Sequence, residues 1–356
     1  MTNNVHINGQ PIGPDSPPYV VAEVSANHNG NLERALQTIA AAADCGVDAV
    51  KIQTYTPDTL TIDCDLPDFR IQGGLWDGYT LYKLYQWAQT PFEWHQKMFD
   101  FAASKGVTLF STPFDESAVD LLEHLQAPAY KIASFEAVDI PLIRYVARTG
   151  KPMIISTGMA DEEEIGEAME AARSGGCTEL ILLHCISSYP APVEESNLRT
   201  IADMAERFGV VAGLSDHTLG TTVAIAAVAQ GACFIEKHFT LSRADKGPDS
   251  EFSLEPSELR ELCHASRQAW LALGKAGYER KTAEEANVKF RRSIYAVRDI
   301  QAGEEFSPEN IRRIRPGYGL APKYYEVVLG RRATQDIVRG SALLPEHVEE
   351  LQPLKL

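Results

Sequence analysis

Two histidines, His217 and His238, each follow a short apolar run. Val210–Leu214 empties into Ser215, Asp216 and His217, and Ala232–Ile235 empties into Glu236, Lys237 and His238. Apolar runs of this length, separated by a helical pattern, read as neighbouring buried strands of a parallel sheet. Two imidazoles at equivalent strand ends can share one metal ion, although either alone is better explained as a core histidine bonded to a carbonyl. Two His with a carboxylate such as Glu23, or with water, suit Mn, Fe, Co or Zn better than Mg. His184, between Leu183 and Cys185, reads as structural.

Lys51 and Lys131 form a second chemical pair, each inside an otherwise apolar run at a position that points into a barrel. A buried lysine is costly unless an anion meets it. With the hydroxyls of Ser111, Thr112, Ser134, Ser156 and Thr157 at other strand ends, the pair describes a phosphate or carboxylate pocket. The alternative is that each lysine pairs with a glutamate such as Glu23 or Glu136.

The elements that must position these groups are eight strand-like runs: Tyr19–Glu23, Ala49–Gln53, Thr108–Ser111, Ala129–Ile132, Met153–Ser156, Leu180–His184, Val210–Leu214 and Ala232–Ile235. Amphipathic helix patterns such as Leu32–Cys45, Ser117–Leu125 and Glu162–Ala172 separate them. That rhythm predicts an α/β fold, a (β/α)8 TIM barrel, whose chemistry lies at the carboxyl ends of the strands. A doubly wound sheet would need G-x-G-x-x-G after the first strand, and AEVSANHNG stands there instead. Residues 58–94 form a long, aromatic-rich insertion after the second strand, a candidate lid or specificity wall as well as packing.

The expected division is a barrel over residues 1–276, a charged linker over 277–293 and a small β-rich module over 294–356. The module carries a faint repeat, Asp299-Ile300-x-x-Gly303-x-x-Phe306-x-x-Glu309 against Asp336-Ile337-x-x-Gly340-x-x-Leu343-x-x-Glu346. A net charge of −16 argues against nucleic acid and anionic membranes as partners, but not against a small anion met by local lysines. No apolar run reaches the roughly 18 residues of a membrane span, and the first residues lack the layout of a signal peptide. Six scattered cysteines without C-x-x-C read as reduced thiols, so a cytoplasmic protein is expected.

The ordered motifs AEVSANHNGN, VKIQTY, FSTPFD, YKIASFE, ISTGM, SSYPAP, GLSDHT, EKHFTL, KGPDSEFSLEP and RRSIYA resemble the sialic acid synthase family, from about Val20 to the end. The last module is similar to antifreeze-like (SAF) domains. KIQTYTPDTLT, GLWDGYTLYKLYQWAQTP and GPDSEFSLEP resemble the pseudaminic acid synthase branch. The resemblance implies condensation of phosphoenolpyruvate with an amino-sugar aldehyde, 2,4-diacetamido-2,4,6-trideoxy-altrose for that branch, with release of phosphate. It implies a divalent metal on His217 and His238, usually Mn2+, with Mg2+ or Co2+ as further choices. It places Lys51, Lys131, Ser134, Ser156 and Ser215 on phosphoenolpyruvate, and Gln53, Tyr189 and Asp249 on the sugar; Thr112 is a further substrate-binding candidate. Ser187 stands where the family pattern has Asn. Arg315 would reach the sugar of the neighbouring subunit in a domain-swapped homodimer. Glu23 is expected to be the base and Glu136 to position sugar hydroxyls, with the reverse assignment open. The alternatives are a legionaminate or N-acetylneuraminate synthase of the same family, or a Schiff-base pyruvate lyase using Lys131.

Overall fold

The computed structural model describes residues 4–351. A hairpin, β1 (Val5–Ile7) and β2 (Gln10–Ile12), precedes the first barrel strand. The barrel is closed in the order β10-β3-β4-β5-β6-β7-β8-β9. Its strands are β3 (Tyr19–Glu23), β4 (Ala49–Thr54), β5 (Thr108–Pro113), β6 (Tyr130–Ile132), β7 (Met153–Ser156), β8 (Leu180–Cys185), β9 (Val211–Asp216) and β10 (Phe234–His238). All eight anticipated runs are strands, and all pair in parallel. Five of them run one to three residues further toward the mouth than the apolar pattern suggests. Ladder hydrogen bonds, which ignore side-chain polarity, continue after the apolar residues stop.

Period-two alternation sorts each strand into two cores. Val20, Ala22, Val50, Ile52, Leu109, Ile132, Ile155 and Leu182 face the surrounding helices, including α1 (Leu32–Cys45). Tyr19, Val21, Ala49, Phe110, Ile154, Ile181, Leu183, Val211 and Phe234 fill the interior together with Val5, Ile7 and Ile12. The N-terminal hairpin, which the sequence pattern did not announce, therefore closes the floor of the barrel. Gly213 lies where β9 passes closest to β10; a Cβ there would sit 2.3 Å from the Phe234 carbonyl oxygen.

The insertion after β4 is ordered by α2 (Pro57–Leu60), a short hairpin around residues 70–80 and α3 (Leu81–Ala88). The chain divides into two compact units between Gly274 and Lys275. Residues 277–293, read above as a linker, contain a helical turn at Thr282–Glu285 and another at Val288–Phe290. In the second unit β11 (Ser293–Ala296) pairs antiparallel with β12 (Ile311–Ile314). The internal repeat acts reciprocally there. Ile300 and Ile337 exchange backbone hydrogen bonds of 2.9 and 2.8 Å, Asp336 accepts from the amide of Ala302, and Asp299 accepts from that of Arg339. Phe306 and Leu343 occupy matching places in its core. Residues 352–356 of the expected module lie outside the described residues. Among the described residues no helix is long and apolar enough to cross a membrane.

Candidate active site

Continuing the inward alternation past the apolar floor brings Glu23, Lys51, Gln53, Thr112, Lys131, Ser156, Ser215, Glu236 and His238 to one face, at the carboxyl ends of the strands. At the centre is a buried four-charge cluster. Lys51 Nζ lies 2.9 Å from Glu23 Oε2 and 3.5 Å from Glu236 Oε1, and it donates to Thr112 Oγ1 at 3.1 Å. Lys131 Nζ donates to both carboxylate oxygens of Glu236 at 3.0 Å. Gln53 Nε2 donates to Glu23 Oε1 at 3.0 Å and to Ser25 Oγ at 2.9 Å, and Ser215 Oγ donates to Glu236. Lys131 thus pairs with Glu236 and not with Glu136, the glutamate the sequence suggested; Glu236 leaves its strand one step before His238 and points at the lysine across the barrel. Burial raises the Glu23 carboxyl above its ordinary range against the pull of Lys51. Burial pushes Glu236 up as well, but the two lysines overcome it and hold that carboxyl low. Two lysines and two glutamates nearly cancel.

Beside this cluster lies a cradle of hydroxyls. Ser134 Oγ accepts from the amide of Gly158 at 3.2 Å, and Ser156 Oγ is buried with no hydrogen-bond partner among the described residues. A Cβ on Gly158 would stand 2.2 Å from Ser187 Oγ and 2.8 Å from Ser134 Oγ. The absent side chain therefore leaves room between hydroxyls supplied by two different loops. Glu136 is half-buried, its Oε2 is enclosed and unpartnered among the described residues, and desolvation raises its carboxyl to about 7.

The other side of the mouth is aromatic. The rings of His217 and His238 are 5.5 Å apart, with Tyr189 4.3 Å from His217 and Phe252 4.9 Å from His238. His217 Nδ1 lies 2.9 Å from the Ile186 carbonyl oxygen, the arrangement that leaves Nε2 with its lone pair free. His238 Nδ1 is buried without a hydrogen-bond partner and 3.9 Å from Asp249 Oδ2. Burial, then His217 and Lys51, hold the His238 imidazole well below its ordinary range, so it is neutral. Behind them, on the opposite face of the strands, Lys237 Nζ donates to Asp216 Oδ2 at 2.7 Å and to the Thr218 carbonyl, bracketing the turn that carries His217. Two imidazoles, His238 with a nitrogen unpartnered among the described residues, fit a metal ion whose remaining ligands would be water and substrate. Among the described residues no group of three or more His, Cys, Asp or Glu side chains forms a ready cage.

His184 faces the helical shell, where Nε2 meets the Ser196 carbonyl oxygen at 2.7 Å. Ser111 also faces outward, against Thr54. Arg315 is exposed in the second unit, where it makes no hydrogen bond or ion pair among the described residues. Glu236, Gly158 and Cys185 were not singled out by the sequence reading. Strict alternation from Phe234 would have found Glu236, and alternation from Ile181 and Leu183 would have found Cys185. Cys185 Sγ lies 3.8 Å from His217 Nδ1. Burial pushes its thiol up, but His217 outweighs that and brings it to about 7. Nothing in the sequence marks Gly158 apart from the chain's other glycines.

The architecture is thus an eight-stranded parallel barrel with lysines, hydroxyls and a histidine pair gathered at its mouth, followed by a small β module, the layout of a barrel enzyme with its chemistry at the strand ends. Residues 38–278 match the NeuB family and residues 291–349 match the SAF domain. The chain belongs to the NeuB family. It is 46% identical to pseudaminic acid synthase of Campylobacter jejuni, over 92% of this chain and 96% of that protein. It is 42% identical to pseudaminic acid synthase of Helicobacter pylori, over 94% and 98%. Among solved structures, N-acetylneuraminic acid synthetase of Leptospira borgpetersenii in complex with citrate superimposes with a TM-score of 0.73 at 30% identity, covering 81% of this chain and 96% of that one.

Proposed function

We propose that the protein condenses phosphoenolpyruvate with 2,4-diacetamido-2,4,6-trideoxy-altrose, giving pseudaminic acid and phosphate. The observation that carries the reading is the adjacency of an anion cradle, a buried lysine pair and a histidine pair within one mouth; the similarity to two pseudaminic acid synthases supports the product.

The phosphate of phosphoenolpyruvate lies among Ser134, Ser156, Ser187 and the space over Gly158, with Lys131, Lys51, Thr112 and Ser215 serving its charges. His217 and His238 would hold a divalent cation, Mn2+ before Co2+ or Mg2+, which would supply Lewis-acid polarisation of the sugar aldehyde. Gln53, Tyr189 and Asp249 orient the sugar so that its aldehyde carbon meets C3 of phosphoenolpyruvate. As that bond forms, positive charge develops at C2 and is captured by water; Glu23 takes the water proton. The resulting tetrahedral carbon loses phosphate by C–O cleavage, leaving a 2-keto acid, and the lysines stabilise the departing anion. Glu136, protonated below about pH 7, donates a hydrogen bond to a sugar hydroxyl. A Schiff base on Lys131 fits poorly, because Glu236 keeps that ammonium engaged by two hydrogen bonds.

Arg315 is proposed to act on a neighbouring subunit's sugar in a domain-swapped homodimer. Large apolar side chains stand exposed on successive loops of the mouth (Phe135, Met159, Val193 and Leu219), a surface that a second copy would cover. The experiment is phosphate release from phosphoenolpyruvate by metal-stripped protein with Mn2+ restored, against the altrose compound, its legionaminate-precursor isomer and N-acetylmannosamine. Release with the altrose compound alone supports the reading; release with N-acetylmannosamine alone overturns the sugar assignment.

A further inference from the structure

The hairpin at residues 70–80 is tied at its base. Ile71 and Tyr79 share backbone hydrogen bonding at 2.9 Å, Asp77 accepts from the amide of Gly73, and Tyr79 stacks on Trp87. Every residue from 72 to 79 is exposed except Trp76. The Trp76 indole turns back toward the barrel, donating Nε1–H to the Pro248 carbonyl at 3.0 Å and lying 5.8 Å from the Tyr189 ring.

These contacts have a geometric consequence. Trp76 belongs to the loop after β4 and Tyr189 to the loop after β8, and in the closed order those strands are four places apart in either direction. The strands are diametrically opposite, so an indole from the first loop that packs on a ring from the second meets it at the mouth. That ring, Tyr189, itself lies against His217, His238 and Phe252, and Pro248 belongs to the loop after β10, so Trp76 joins the wall of the histidine pair. Its single polar hydrogen is already committed to Pro248. The surface it presents below is carbon, with nothing to satisfy a hydroxyl, and a hydroxyl pressed against it would lose its water without replacement.

We propose that Trp76 roofs the sugar subsite and is a specificity-determining residue, selecting an acceptor whose outer end carries methyl groups over one that carries hydroxyls. The inference deepens the function proposed above and rests on it: the 6-methyl and 4-acetamido methyl of the trideoxy sugar take the places where N-acetylmannosamine has hydroxyls. Selection by an apolar wall is typically worth about tenfold or somewhat more per group.

The test measures kcat/KM for sugar pairs that differ only at C6, methyl against hydroxymethyl. One pair is built on the diacetamido sugar and one on N-acetylmannosamine, so at least one suits the enzyme whichever sugar it uses. The wild type is expected to prefer the methyl member about tenfold. Trp76→Ala is expected to narrow that preference to about threefold or less, through sugar KM, with phosphoenolpyruvate KM unchanged. Trp76→Phe, which keeps an apolar ring but loses the bond to Pro248, is expected to retain most of the preference. The proposal is overturned by a wild type indifferent to the C6 group, by an Ala variant that keeps full preference, or by Phe and Ala variants equally impaired. If the wild type turns over only the N-acetylmannosamine pair, the sugar assignment fails, while the C6 comparison within that pair still judges the roof.

Discussion

The two sides of the barrel mouth handle charge in opposite ways. Around Lys51 and Lys131 every ionised group is matched: each ammonium touches a glutamate, and four formal charges nearly cancel. Around His217 and His238 the neighbours are aromatic, and among the described residues one ring nitrogen of His238 has no partner. A matched cluster is stable without ligand but already spends its lysines on glutamates, so an anion entering it gains from hydroxyls and from rearranged ion pairs. The difference teaches that the lysine side is held in shape by its own charges, while the histidine side takes its shape from packing and from Lys237 behind it.

The largest effect that would break this comparison is removal of an imidazole. His238→Ala should cost at least about a thousandfold in kcat/KM and most of the bound metal, measured by turnover and by metal content after dialysis against Mn2+, with little loss of stability. A stable variant with full activity would contradict the assignment.

On the other side, Lys131→Met should destabilise the fold by about 3–5 kcal/mol in denaturant titrations, because Glu236 is left buried without its partner. The double variant Lys131→Met/Glu236→Leu should recover most of that stability and none of the activity. Failure of the double variant to recover would mean the cluster is not self-matched. Gly158→Ala should raise the KM for phosphoenolpyruvate about 10- to 100-fold by displacing Ser187 and Ser134, while sugar KM stays near the wild-type value.

The smallest expected effect is on pH dependence. The Glu136 carboxyl is raised to about 7 by burial, so the native state holds a proton that the unfolded chain releases near the ordinary value. Stability should therefore decline as pH rises through that interval, and Glu136→Gln should flatten the decline. A limb near pH 7 in kcat/KM should vanish in the same variant.

Much of the site was legible in the sequence because a parallel barrel strand has only two faces. Once Tyr19, Ala49, Phe110 and Ile154 point inward, so must Glu23, Lys51, Thr112 and Ser156, whatever the surrounding structure. The motifs were equally direct, and through them the family and the terminal module. Glu236 was equally available by that rule, yet its neighbour His238 drew the reading away from it.

Which glutamate Lys131 meets depends on the diameter and stagger of the closed barrel, since the partners are 105 residues apart and local pattern carries no such distance. The emptiness over Gly158 exists only because loops bearing Ser134 and Ser187 converge on it. That Trp76 leaves an exposed hairpin to touch the far wall follows from closure of the sheet, which makes strands distant in sequence face one another. Chain-local chemistry thus determined which groups are present and which way they point; tertiary closure decided which of them are partners, because charge pairing and steric room act through space.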